Sequence, residues 1–334
     1  MIVRVPSSPY IHVHTNLPDI DGDVNVHNSS RTRNYTHPRN STHTAQVFIL
    51  SFVTQINGPG GVPAVNFANA GDSCTPFSGT SLLNCPQIAS VSFFPSLPSH
   101  IPDTLTAPPR EDIKYCQSKG KTVLLSIGGA TYTEGGFSSA AAAEAGAQLI
   151  WNTFGPANND ALRPFGNAVV DGFDLDFEAT VNNMPAFANR LRALYQNGGK
   201  QFYLTAAPQC PYPDAANGPM LNGATYFDAI WVQFYNNYCG LQSYVPGSDS
   251  QPTFNLATWD EWARSTSLNK NVRVFVGAPA NTRAAGSGYV SAGVLGQVVG
   301  YGRRFGSFGG VMLWDASQAY ANNGFLSAVR SALG

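Results

Sequence analysis

The chain has 334 residues, 43% of them hydrophobic and 12% charged, with a formal net charge of −1. The charged share is about half the roughly 25% usual for a soluble domain, and the even balance argues against a polyanionic partner, so neither nucleic acid nor an acidic membrane face is expected. The longest apolar runs, 46–53 and 122–127, fall far short of the ~20 residues of a membrane-spanning helix, and the expected ligand is a neutral molecule.

The first segment, 1–44, mixes polar residues, prolines and scattered charge without a sustained period and is expected to be irregular. It holds His12, His14, His27, His37 and His43, the sixth histidine being His100. His12 and His14 alternate with Ile11 and Val13, yet a solvated extended stretch, not a metal-binding strand, is the expectation. Glycosylation sequons at Asn28, Asn34 and Asn40 point weakly to secretion, while the opening Met-Ile-Val-Arg-Val-Pro lacks the apolar run of a signal peptide.

From residue 47 onward, short apolar runs alternate with helical patterns. Strands are expected at 47–53, 122–127, 172–177, 202–206, 229–234, 272–276 and 310–314. Between them, Met184, Phe187, Leu191 and Leu194 recur at steps of three and four, with Pro185 suited to a first helical turn; 140–153, 256–265 and 293–301 read similarly. Repeated strand–helix units with continuously apolar strands predict parallel strands buried on both faces. The expected fold class is therefore α/β, a TIM (β/α)8 barrel forming one domain over 45–334. Seven strands are readable where a closed barrel has eight. The usual first strand is missing or replaced, and its candidates within 1–44 are 2–5 and 10–14. A proline-rich insertion at 90–110, with Pro95, Pro98, Pro102, Pro108 and Pro109, forbids a regular helix. It is expected to leave the barrel as an exposed, irregular excursion, with helix resuming near Glu111. None of the five cysteines forms a CxxC pair, so a zinc site is not expected; no other metal and no cofactor is expected either.

The most informative run is Asp171-Gly172-Phe173-Asp174-Leu175-Asp176-Phe177-Glu178. Side chains alternate along a strand, which puts Asp174, Asp176 and Glu178 on one face and Phe173, Leu175 and Phe177 on the other. In a parallel barrel the helices cover the apolar face, so the acids point inward. Crowded carboxylates repel, which favours keeping one protonated near neutral pH, as cleavage of a glycosidic bond requires. Glu178 closes the strand at its C-terminal end, where barrel active sites lie.

This run matches the DxxDxDxE signature of the family 18 glycoside hydrolases. Four further pieces resemble the class III chitinases of plants and fungi: Leu-Leu-Ser-Ile-Gly-Gly at 124–129, Leu-Thr-Ala-Ala-Pro-Gln-Cys-Pro at 204–211, Trp-Val-Gln-Phe-Tyr-Asn-Asn at 231–237 and Gly-Val-Met-Leu-Trp at 310–314. The resemblance covers about 45–89 and 111 onward. It implies an endo-acting chitinase that hydrolyses β-1,4 bonds between N-acetylglucosamine units with retention, the sugar's own acetamido oxygen acting as nucleophile. By the same resemblance Glu178 is the acid, Asp176 orients the acetamido group, Asp174 shares a proton with Asp176, and Tyr235 hydrogen-bonds the acetamido oxygen. Gln233, Asn236, Trp314, Asp171, Gly128 and Gly129 are the implied substrate-binding residues. The implied disulfides are Cys74–Cys85 and Cys210–Cys239, with Cys116 left single. The implied partners are chitin or chitooligosaccharides, met by a monomer outside the cell or in the cell wall. The segment 277–309 is too short for the domain inserted there in the bacterial branch of the family, which predicts an open cleft. A non-catalytic carbohydrate-binding or inactive member is the alternative, because the Tyr-Trp-Gly-Gln-Asn-like first strand of relatives is not found. An incorrect start or alternative exon would account for that lack, and 90–110 reads as an unspliced intron.

Overall fold

Apolar runs rich in β-branched and aromatic residues become strands here, and stretches with apolar residues three and four apart become helices. The computed structural model describes residues 2–5, 46–67, 74–85, 112–156 and 162–334. Its strands are β1 (Ile2–Val5), β2 (Val47–Gly58), β3 (Val62–Val65), β4 (Thr75–Pro76), β5 (Leu83–Asn84), β6 (Thr122–Gly128), β7 (Gly172–Asp176), β8 (Tyr203–Ala206), β9 (Ala229–Gln233), β10 (Arg273–Pro279) and β11 (Phe308–Trp314). A nine-stranded sheet contains all of them except β4 and β5, which form a small hairpin. Strand β3 folds back antiparallel on β2. The others are parallel neighbours, and β1 joins both β2, from Ile2↔Val47 to Val5↔Leu50, and β11, at Ile2↔Met312 and Val3↔Leu313. The sheet thus closes on itself as an eight-stranded parallel barrel.

The position that the sequence leaves open is filled by Ile2–Val5. That is one of the two candidates within 1–44, and it replaces the usual first strand. The competing candidate 10–14, the histidines of that segment and the stretch 90–110 lie outside the described residues.

The helices are α1 (Asp112–Ser118), α2 (Ala140–Phe154), α3 (Met184–Tyr195), α4 (Gly218–Leu221), α5 (Leu256–Ser265), α6 (Ala292–Gly302), α7 (Ala316–Ala321) and α8 (Phe325–Leu333). Helix resumes at Asp112, one residue from the expected place, with Ile113 and Cys116 buried. Ser139 caps α2 by accepting from the Ala142 amide. Helix α3 carries proline in its first turn and buries Met184, Phe187, Leu191 and Leu194, the residues whose spacing predicts it. Phe187 stacks on Phe137 just ahead of α2, with ring centroids 5.6 Å apart.

Two apolar regions result. The larger lies between strands and helices and contains Phe173, Leu175 and Phe177 of the acidic run together with Phe187 and Leu191. The smaller, with Ile49, Leu124, Trp231 and Met312, fills the barrel interior. Fully burying a Phe or Leu side chain is worth about 1.5–3 kcal/mol, so the outer layer fixes the face that β7 turns inward. Cys210–Cys239 ties the loop after β8 to the loop after β9, and Cys74–Cys85 closes the β4–β5 hairpin. Cys116 is buried and in neither bridge. Only α6 and its loops lie between β10 and β11. No helix among the described residues is long and apolar enough to cross a membrane.

Candidate active site

Because β7 is parallel to both neighbours, its inward residues meet the inward residues of β6 and β8 at the same height. Asp174 pairs in register with Ser126 on one side and Thr205 on the other. Ser126 Oγ donates to Asp174 Oδ2 at 2.7 Å, and Thr205 Oγ1 and Trp231 Nε1 donate to Oδ1 at 2.8 Å each. Asp174 is 0% exposed, so these hydroxyl and indole donors stand in for the water it has lost. Asp176, two residues on and 1% exposed, accepts from Gln233 Nε2 at 2.8 Å. The second amide hydrogen of Gln233 goes to the Ala207 carbonyl at 3.0 Å, which leaves the side-chain oxygen unused by these two bonds. Glu178 follows two residues later, past the end of β7, and its side chain is exposed at the C-terminal mouth. The run therefore climbs from a buried carboxylate to one that solvent, or a ligand, reaches.

The rest of the mouth is built by the ends of neighbouring strands. Trp314 ends β11 half-buried, and its ring lies 5.9 Å from that of Phe52 on β2. Gly128 and Gly129 have backbone φ of +123° and +80°. A Cβ on Gly128 would lie 2.1 Å from the Asp176 carbonyl oxygen, and one on Gly129 would lie 2.9 Å from the Phe52 ring. These glycines let β6 approach β7, and Gly129 N donates to Asp176 O at 2.7 Å; their evident work is to hold the acid strand, with no sugar contact needed to explain them. Tyr235, just after β9, is buried beneath the loop that follows β10, where a Cβ on Gly288 would stand 2.7 Å from Tyr235 Cα. Asn236 is exposed with φ of +56°, and its Oδ1 accepts from Gly286 N at 2.8 Å and Ser287 N at 3.2 Å. Its side-chain oxygen is thus committed to clamping that loop.

Asp171 does not join this group. It precedes β7 at the opposite end of the barrel, where it accepts from Val123 N at 2.8 Å and Gln117 Nε2 at 2.9 Å and pairs with Lys200 at 2.5 Å. It fastens α1 and the start of β6 to the closed end of the barrel, and it is withdrawn as a substrate-binding residue.

An inward ladder of acids ending in an exposed carboxyl, beside an aromatic floor at the C-terminal mouth of a parallel barrel, is what glycoside hydrolysis calls for. The family description "Glycosyl hydrolases family 18" matches residues 103–299. The chain belongs to that family. It is 57% identical to a "Class III chitinase" of Arthroderma benhamiae over 86% of this chain and 82% of the relative, and 48% identical to "Endochitinase 33" of Trichoderma harzianum over 81% and 78%. Among solved structures it is similar to a xylanase-alpha-amylase inhibitor protein in complex with trehalose, 33% identical with a TM-score of 0.64, covering 86% of this chain and 89% of that one. As a family 18 member the chain is a glycoside hydrolase, and the match spans β6 to β10, with Trp314 beyond it.

Several residues of this family 18 site have no role in the sequence reading. Ser126, Thr205 and Trp231 all lie inside the quoted motifs and share the inward parity of Asp174, a signal that register would have supplied. Phe52 is not given by parity: Val47 and Ile49 face the barrel interior while Phe48 and Leu50 face the helices, and the register of β2 against β6 shifts between Ser51 and Val53. Asp214 and Asn217, in the loop after β8, carry no period at all.

Proposed function

We propose that this chain is an endo-acting chitinase that cleaves β-1,4 bonds between N-acetylglucosamine units with retention of configuration. The observation that carries this reading is the Gln233–Asp176 hydrogen bond one strand position below exposed Glu178. Glu178 is the one acid of the run able to reach a glycosidic oxygen, and it protonates the leaving group. A second carboxylate nucleophile is not needed, since the 2-acetamido oxygen of the substrate attacks the anomeric carbon. Asp176 turns toward that acetamido group and offsets the positive charge of the oxazolinium intermediate, and Asp174 shares a proton with it from below. Tyr235 bonds the acetamido oxygen, Gln233 and Asn236 help hold the sugar, and Trp314 with Phe52 forms the apolar floor. The names of the two fungal relatives support the substrate. The single helix between β10 and β11 leaves the cleft open, which favours internal cleavage. Action outside the cell or in the cell wall fits the two disulfides, which persist in oxidising compartments.

Glu178→Gln keeps the shape of the side chain and removes its proton. Turnover of an N-acetylglucosamine oligomer is expected to fall by roughly 10²–10⁴-fold while retention on chitin beads stays near parental. Turnover above a tenth of the parental value would place the acid elsewhere. A purely carbohydrate-binding or inhibitory role, favoured by the likeness to the inhibitor structure, predicts retention on chitin with no turnover by the parent. Fully deacetylated oligomers lack the nucleophile and are expected to remain uncut, and products from acetylated oligomers are expected in the β configuration. Efficient cleavage of acetyl-free chitosan, or inverted products, contradicts the mechanism.

A further inference from the structure

Strand β7 ends at Asp176, so the backbone that carries Glu178 lies beyond the regular ladder. The last carbonyls of the strand are still paired: Leu175 O accepts from Ala207 N at 2.9 Å and Asp176 O from Gly129 N at 2.7 Å. The next carbonyl, Phe177 O, belongs to the peptide linking Phe177 to Glu178. A side chain takes over there. Asn217 Nδ2, 40 residues away in sequence, donates to Phe177 O at 3.0 Å.

Asn217 is itself held. Its Nδ2 also donates to Asp214 Oδ1 at 3.0 Å, and its backbone amide donates to the same oxygen at 2.5 Å. Asp214 Oδ2 accepts from Gln209 N at 3.1 Å. Gln209 in turn bridges to Gln233, the partner of Asp176, and its Oε1 accepts from Asn237 at 2.8 Å. One loop therefore fastens the peptide before Glu178 to the strand end that holds Asp176. Asn217 is 0% exposed, and its Oδ1 has no hydrogen-bond partner among the described residues. Turning the amide over would set that oxygen against two acceptors, Phe177 O and Asp214 Oδ1, so the orientation is fixed. A buried acceptor left unpaired is a cost to folding. The group is oriented for the Phe177 carbonyl all the same.

We propose that Asn217, seated by Asp214, is a positioning residue that sets the direction in which Glu178 presents its carboxyl to the leaving oxygen. This rests on Glu178 being the acid. Fixing the 177–178 peptide plane fixes the N–Cα axis from which the Glu178 side chain projects, and displacements of about 1 Å near a reacting atom cost on the order of 10²-fold. Asn217 acts on catalysis by way of Glu178, through its bond to Phe177 O.

The test uses two substrates for each enzyme: an N-acetylglucosamine oligomer, whose alkoxide leaving group needs the proton, and an aryl chitobioside with an acidic phenol, which needs it far less. Glu178→Gln is the control and is expected to lose much more on the oligomer than on the aryl glycoside. Asn217→Ala is expected to show the same contrast in weaker form, a roughly 10–100-fold loss of kcat on the oligomer with KM within about threefold and most activity kept on the aryl glycoside. If Glu178→Gln shows no contrast, the assignment of the acid fails, and positioning by Asn217 falls with it. If that control behaves and folded Asn217→Ala loses nothing, or loses equally on both substrates, the positioning role alone is overturned. Should Asn217→Ala fail to fold by thermal melting, the nearly isosteric Asp214→Asn is read in the same way. Failure of both to fold makes the pair a purely structural element and also overturns the proposal.

Discussion

The carboxylates of this barrel differ by where they sit along a strand. Asp174, Asp176 and Glu178 are readable from sequence because a period of two puts them on one face, and burial of Phe173, Leu175 and Phe177 decides which face is inward. The same period could have excluded Asp171, which stands three positions from Asp174 and so off the shared face; motif membership alone drew it into the site. Asn217 was beyond reach because its contact joins residues 40 apart through a loop without periodicity. Asp315 was beyond reach for another reason, since it lies after the last strand motif. It caps α7, accepting from Gln318 N at 3.0 Å and from Ser317 Oγ, and burial pushes its carboxyl above the ordinary value of 3.8. A carboxyl raised on folding contributes stability that is fully present below its unfolded pKa and is lost as pH rises through the folded one. Asp315→Asn keeps a good helix cap and cannot ionise. Its unfolding free energy relative to the parent is therefore expected to climb as pH goes from about 4 upward, by roughly 1.4 kcal/mol for each unit that Asp315 is raised. A difference that stays flat or falls from pH 3.5 to 7 contradicts this assignment.

The helices with a strong period are legible to within a residue, while the strand expected at 47–53 runs on to Gly58. Helix α3 shows why: Met184, Phe187, Leu191 and Leu194 lie along one buried stripe, and proline marks its start. The short helices α4 and α7 are too brief for a stripe, and β1 is a four-residue run whose membership in the barrel depends on pairing with both β2 and β11. The cysteine pairing, implied by resemblance, is the pairing that the fold forms. Its larger consequence is at the mouth. Cys210–Cys239 holds together the loops that carry Gln209, Asp214 and Asn217 on one side and Tyr235, Asn236 and Asn237 on the other. Closing a loop of about 30 residues lowers the entropy of the unfolded chain by the equivalent of about 3–4 kcal/mol. Replacing both Cys210 and Cys239 by serine is expected to lower stability by an amount of that order and to reduce kcat. Non-reducing peptide mapping of the parent is expected to find the two bridges and Cys116 in neither. A bridge from Cys116 to any of the other four, or a serine double variant with parental stability, would count against the scheme.

On the scale of the whole molecule, the barrel is one closed ring, and what interrupts the chain between β5 and α1 is the stretch 90–110. The described residues on either side of it come close to the same short loop. Cys85 N donates to Pro164 O at 2.9 Å, while on α1 Lys114 bonds to Asn167 and Gln117 Nε2 donates to Val169 O at 2.7 Å. The anchors lie within six residues of each other in that loop, at Pro164, Asn167 and Val169. Joining Ala89 to Glu111 gives Cys-Pro-Gln-Ile-Ala-Glu-Asp-Ile-Lys-Tyr-Cys, with proline near a first helical turn. In the joined chain Ile113 falls four positions after Ile88 and Cys116 seven, so all three share a face, and Ile113 and Cys116 are already buried. Acidic residues then precede Lys114, the order that a helix dipole favours. A protein lacking Ser90 to Arg110 is accordingly expected to gain helix by circular dichroism, to melt at the same temperature or higher, and to keep parental turnover of chitooligosaccharides, because the excised stretch contains no residue of the site. The cost of a long loop grows only slowly with its length, so the gain in stability is expected to come from the lengthened α1 and to remain near 1–2 kcal/mol, the scale of a few added helical residues with one apolar contact. If the stretch is an intron read through in translation, mature messenger RNA lacks these codons. If the dominant message retains them, or if excision lowers the melting temperature, 90–110 is a working part of this barrel.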